Sequence, residues 1–95
     1  MIRKLILTPT FKKAFQRFVK RNPDLQKRIE KTLIEMQQDV FTQHLGAHKL
    51  SGKLWGLRSV SCGYDCRIIF TIEKNEELDI EVIVLLNIGN HDIVY

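Results

Sequence analysis

Apolar and polar positions alternate first over residues 2–7, IRKLIL, which predicts a strand. Thr8-Pro9-Thr10 follows, a capping residue and a proline suited to a helix start. Phe11, Ala14, Phe15, Phe18 and Val19 then recur at the spacing of one helical face, with Lys12, Lys13, Arg17 and Lys20 elsewhere on that helix. Asn22-Pro23-Asp24 opens a second helix, with Asn as cap, Pro in the first turn and Asp against the positive helix end. Leu25, Ile29, Leu33, Met36 and Val40 form its stripe, and the short separation predicts a helical hairpin.

From 41 to 53 the period disappears: FTQHLGAHKLSGK reads as a loop. Residues 54–61 and 66–73 read as strands split by Gly63-Tyr64-Asp65, with Ile68, Phe70 and Ile72 on one face of the second and Arg67, Ile69 and Thr71 on the other. A turn at 74–77 leads into a strand over 78–88. There Leu78, Ile80, Val82, Val84, Leu86 and Ile88 share one face, and the other turns apolar at Ile83 and Leu85. The order is β-α-α-β-β-β, an α+β fold in a single domain over 1–95. An antiparallel sheet buries the phenylalanine stripe of the helical hairpin on one face and leaves the other partly open.

Composition narrows the class. A hydrophobic fraction of 44% and a charged fraction of 27% suit a globular chain, and no apolar run approaches the roughly 20 residues of a membrane span. The opening MIRKLILTPTFKK has too short an apolar run for a secretory signal core. Cys62 and Cys66, read as extended chain, stand about 13 Å apart, beyond the roughly 4.4–6.8 Å of a disulfide. Free thiols and a cytoplasmic protein are therefore expected. The net charge of +4 is uneven: residues 1–31 carry ten Lys/Arg against two acidic residues, a balance of +8, and residues 32–95 carry five against nine, −4. The basic segment is either a solvated surface or a polyanion-binding one, with Lys12, Lys13 and Arg17 as its candidate RNA contacts.

Chemistry-bearing side chains gather in three places: His44, His48, Lys49 and Lys53 in the loop; Arg58, Tyr64, Asp65 and Arg67 about the middle hairpin; His91, Asp92 and Tyr95 at the end of the sequence. Antiparallel pairing of the last two strands brings the Asp65 turn and the His91 end to one rim. His44 and His48 at i, i+4 resemble a metal pair, but Gly46 between them and the lack of a nearby cysteine argue against it. Arg67 has a plainer reading as an ion-pair partner of Glu81 or Asp79, and Asp65 as a turn residue. A His, Lys, Arg and Asp set without a nucleophile triad suits metal-free RNA cleavage, which needs a base for the 2′-OH, an acid for the leaving 5′ oxygen and cations for the phosphorane.

Four stretches, TPTFKKAFQRFVKRNPDL, HKLSGKLWGLRSV, YDCRIIFTI and VLLNIGNHDIVY, resemble the RelE/ParE superfamily of bacterial toxin–antitoxin toxins along nearly the whole chain. The likeness is greatest to the YafQ-like branch, through His48 before the L-x-G, Asp65 at the hairpin and His91 in G-x-H. The RelE-like branch matches at Lys49, Arg67 and Tyr95. Ser61 stands where the YafQ-like pattern has a further histidine, and His91 where the RelE-like pattern has arginine, so the site is a mixture.

The resemblance implies a ribosome-dependent endoribonuclease that cuts mRNA, needs no metal or other cofactor and is neutralised by a cognate antitoxin, with which it binds its own operator DNA. It assigns His91, Asp65, Arg67 and His48 to catalysis and Lys49 and Tyr95 to the RNA, to which Lys53 and Arg58 add as basic candidates read from the residues. The superfamily also holds ParE-like inhibitors of DNA gyrase and inactive, antitoxin-binding members; the His/Asp cluster favours the nuclease.

Overall fold

The computed structural model describes residues 3–94, so Ile2 of the first expected strand and Tyr95 lie outside the described residues. Strand β1, Lys4–Leu7, runs into helix α1, Pro9–Phe18, through Thr8. Thr8 Oγ1 accepts a hydrogen bond from the Phe11 N–H at 3.2 Å and donates to the Leu85 carbonyl at 2.7 Å, so one hydroxyl both caps the helix and ties it to the sheet. Helix α2, Pro23–Asp39, starts on Asn22, whose Oδ1 accepts from the Leu25 N–H. Both starts are those that the Thr-Pro and Asn-Pro pairs predict.

The remaining strands are β2, His48–Lys49; β3, Arg58–Gly63; β4, Cys66–Asn75; and β5, Ile80–Gly89. The sheet order is β1-β5-β4-β3-β2. Strands β2 to β5 pair antiparallel, and β1 adds to the far edge parallel to β5, which makes the sheet mixed. The apolar stripes of both helices pack with Val60, Ile68, Phe70, Ile83 and Leu85 in one core. The other face is covered in part: Leu50 and Ile69 are buried there with Leu54, Leu57, Leu86 and Ile93 around them. Within 41–53, read above as loop, two residues form β2 because Leu50 is anchored in this second cluster and holds its neighbours beside β3.

The faces of β5 differ from simple alternation. Ile83 and Leu85, not Val84 and Leu86, point into the helix-side core, and a register shift opposite Ile69/Phe70 moves Ile88 back into that core. A bulge adds one residue, so it reverses the phase of everything beyond it. Leu85→Ala, at 0% exposure, is expected to cost about 2–5 kcal/mol. Half-buried Leu86→Ala should cost clearly less, and urea unfolding of both variants checks the order.

The cysteines are also corrected. Cys62 and Cys66 form a disulfide with a Cα–Cα distance of 5.0 Å. The extended-chain estimate failed because the chain reverses between them: β3 ends at Gly63, β4 begins at Cys66, and both sulfurs lie in the core at the neck of the hairpin. A link closing so short a loop contributes about 2 kcal/mol. Reduction, or Cys62→Ser with Cys66→Ser, should lower unfolding stability by that amount in denaturant titrations. Among the described residues no helix is long and apolar enough to cross a membrane.

Candidate active site at the hairpin rim

The turn between β3 and β4 needs unusual backbone: Gly63 has φ 131° and Asp65 φ 52°, a left-handed conformation that aspartate tolerates better than most residues. Beyond the turn, Ser61 pairs with Arg67 and Arg67 with Gly89, so one rung crosses β3, β4 and β5 at this end of the sheet. His91 follows Gly89 by two residues and begins a 3₁₀ turn, His91–Val94. Asn90 Oδ1 accepts from the Asp92 N–H at 3.0 Å and caps that turn. Ile93 tucks over Gly89, where a Cβ would stand 3.0 Å from Ile93 Cγ2, and joins the second apolar cluster. The position of His91 thus rests on a glycine, an Asx turn and a half-buried isoleucine.

Asp65 meets His91 as the strand order predicts, but through the main chain. Its Oδ1 accepts from the His91 backbone N–H at 2.8 Å. The imidazole Nδ1 lies 3.7 Å from Asp92 Oδ1. Arg67 donates through Nη1 to the Cys66 carbonyl at 2.9 Å, with longer approaches to the Gly63 carbonyl and Ser61 Oγ. The plainer reading of Arg67 does not hold: Glu81 pairs with Arg3, and Asp79 with Lys74. Among the described residues no carboxylate forms an ion pair with Arg67, so its charge is held by neutral oxygens beside an open cavity. That cavity is about 680 Å³ and is lined by Ser61, Tyr64, Asp65, Arg67, His91 and Asp92, with Gly63 at the turn.

Among the described residues, His48, Lys49, Lys53, Arg58, Lys12, Lys13 and Arg17 do not line this cavity. His48 sits on edge strand β2 opposite Ser59, two residues along the sheet from the Ser61 rung. Its Nδ1 donates to the Gly46 carbonyl at 2.9 Å, which leaves Nε2 as the basic nitrogen of the neutral ring. Lys49 is exposed beside it, and Lys53 is exposed in the 3₁₀ turn Gly52–Leu54. Arg58 is drawn away: it opens β3 at the end far from Gly63, and its guanidinium lies 5.4 Å from the Phe41 ring centroid, with Arg3 at 5.6 Å from the same ring. Nothing in the apolar pattern marked Phe41 as a cation-binding ring. Lys12, Lys13 and Arg17 are exposed on α1. His44 pairs with Glu35. Among the described residues no three His, Cys, Asp or Glu side chains form a metal-ligand set.

No family model matches the chain, and no curated protein matches it significantly. Solved structures do. A YoeB/ParE toxin from Agrobacterium tumefaciens superposes with a TM-score of 0.74 at 12% identity, over 93% of this chain and 98% of the other. The chain has the fold of the RelE/ParE toxins. YafQ from E. coli aligns at a TM-score of 0.68 and 16% identity over 98% of both chains. The toxin–antitoxin complex RelBE2 from Mycobacterium tuberculosis aligns at 0.71 and 13%, over 96% and 100%. The RelE/ParE fold therefore spans essentially the whole chain, although few residues are shared with any of these structures.

Proposed function

We propose that this RelE/ParE-fold protein is the toxin of a toxin–antitoxin pair and acts as a metal-independent endoribonuclease on mRNA in the ribosome. The observation that carries this reading is the rim cavity, where an arginine with no carboxylate partner among the described residues stands with His91 and Asp65. The 2′-OH attacks the adjacent phosphorus and its proton leaves to a base. The bond to the 5′ oxygen breaks, and an acid protonates that oxygen. A carboxylate accepts a proton and an imidazolium gives one, so Asp65 takes the base's part through Oδ2 and His91 the acid's. Arg67 stabilises the charge that builds on the phosphoryl oxygens. His48 and Lys49, on the neighbouring edge strand, hold the RNA beyond the cavity, as does Lys53; Tyr95 follows the His91 turn in sequence and is assigned to base stacking. Arg58 drops out, engaged as it is with Phe41. The likeness to a toxin solved in complex with its antitoxin supports a protein antitoxin as partner. The same reading assigns the pair to the cytoplasm and to shared operator DNA.

The reading is tested in a translating extract given the purified protein. Expected is cutting of the translated mRNA into discrete fragments. Intact mRNA together with arrested gyrase supercoiling would assign the protein to gyrase inhibition instead.

The basic α1 surface is assigned to ribosomal RNA phosphates. Reversing Lys12, Lys13 and Arg17 to Glu should weaken ribosome association severely, and wild-type association should fall steeply with salt. Sedimentation with ribosomes across a salt series reads both. Since all three side chains are exposed, the melting temperature should hardly move.

A further inference from the structure

Tyr64 at the hairpin tip is 97% exposed. An aromatic ring in that position packs against nothing, so core formation does not account for it. The Cys62–Cys66 disulfide closes the turn that carries it. With Asp65 the tyrosine forms a ridge between two cavities. One is the rim cavity of Arg67 and His91. The other, about 380 Å³ on the helix side, has Phe18 and Leu25 as apolar floor and Asn22, Asp24, Arg28 and Asn90 as polar wall.

Arg28 crosses from α2 to this hairpin. A Cβ on Gly63 would stand 2.8 Å from Arg28 Cδ and 2.9 Å from Nη1, so the missing side chain at 63 is what admits the guanidinium. Among the described residues Arg28 makes no ion pair, although Asp24 stands one helical turn before it. A ring on the ridge, a cation behind it and an apolar floor between two amide side chains are the parts that recognise one unpaired nucleotide.

We propose that this second groove takes the nucleotide next to the one that is cut, with Tyr64 stacking on its base and Arg28 holding its phosphate. The inference rests on the ribonuclease reading and adds to it a subsite outside the catalytic cavity. The substrate is thereby defined as single-stranded RNA bent over the hairpin tip, since a paired base offers no free face to the tyrosine.

The test is cleavage kinetics on ribosomes programmed with a defined mRNA, for wild type, Tyr64→Ala, Tyr64→Phe and Arg28→Ala. Tyr64→Ala should raise KM roughly 5- to 100-fold, as loss of one base–aromatic stack does, with kcat little changed. Tyr64→Phe should stay within about twofold of wild type, because stacking needs the ring and not the hydroxyl. Arg28→Ala should raise KM as well and make it less dependent on salt. An mRNA with an abasic residue beside the cut should cost the wild type the same factor and Tyr64→Ala nothing further. Tyr64 is solvated and Arg28 lies on an exposed helix surface, so melting temperatures should be close to wild type throughout. A wild type that cuts RNA no better than Tyr64→Ala overturns the subsite alone. Equal losses in Tyr64→Phe and Tyr64→Ala overturn stacking. A wild type that cuts no RNA overturns the ribonuclease reading and the subsite with it.

Discussion

His91→Ala is expected to slow RNA cleavage by about 10²–10⁴-fold, the usual contribution of a positioned proton-transfer group, and to leave folding almost untouched. The side chain is half exposed and belongs to neither apolar cluster. Its backbone N–H, which Asp65 holds, survives the substitution. Stability should therefore change by no more than about 0.5 kcal/mol. Asp65→Ala is the instructive companion, because it removes both the proposed base and the acceptor that fixes the His91 turn. It should lose at least as much activity and some stability besides. Cleavage rate and melting temperature, measured together on both variants, separate the chemical role from the positional one. Normal cleavage by His91→Ala would make that histidine an ornament of the rim.

Arg67→Ala should have the next largest effect, about 10²–10³-fold on kcat, comparable to removing one donor from an oxyanion site. Lysine should not restore it fully, because a point charge on a flexible stem lacks the planar fork that matches a phosphoryl group. The stability cost should be about 0.5–1.5 kcal/mol, the net worth of the lost hydrogen bond to the Cys66 carbonyl. A purely structural role of Arg67, through its hydrogen bond to the Cys66 carbonyl, makes the opposite forecast: a stability loss with kcat unchanged. Single-turnover cleavage and urea unfolding of Arg67→Ala and Arg67→Lys distinguish them.

Local signals were legible wherever one residue had one dominant partner. Thr8 and Asn22 cap the helices that follow them, and the five-residue stripes of both helices enter the core. The meeting of Asp65 and His91 followed from strand order alone, since antiparallel neighbours must share a rim. Alternation failed on β5, where both faces are apolar and an inserted residue changes the phase without changing the composition. Distance reasoning failed at Cys62 and Cys66 because it assumed extended chain through a turn that Gly63 and Asp65 reverse. Charge alone did not reveal the contact of Arg58 with the Phe41 ring, which depends on how β3 and the end of α2 meet in three dimensions. Arg28 was invisible for the same reason. Nothing in a helical heptad says that a glycine thirty-five positions later leaves space for its guanidinium.

The most direct test of the central claim is the chemistry of the cut ends. Ribosomes carrying a defined mRNA are incubated with the purified protein, and the fragments are analysed for their terminal groups. Attack by the 2′-OH predicts a 5′-hydroxyl on one fragment and a 2′,3′-cyclic phosphate, or the monophosphate that it hydrolyses to, on the other. The same mRNA with a single 2′-deoxy residue at the cut should stay whole at that position. Cleavage of the 2′-deoxy substrate at the wild-type rate, or fragments ending in a 5′-phosphate, would contradict the account, because neither can arise from a rim that works by moving the 2′-OH proton.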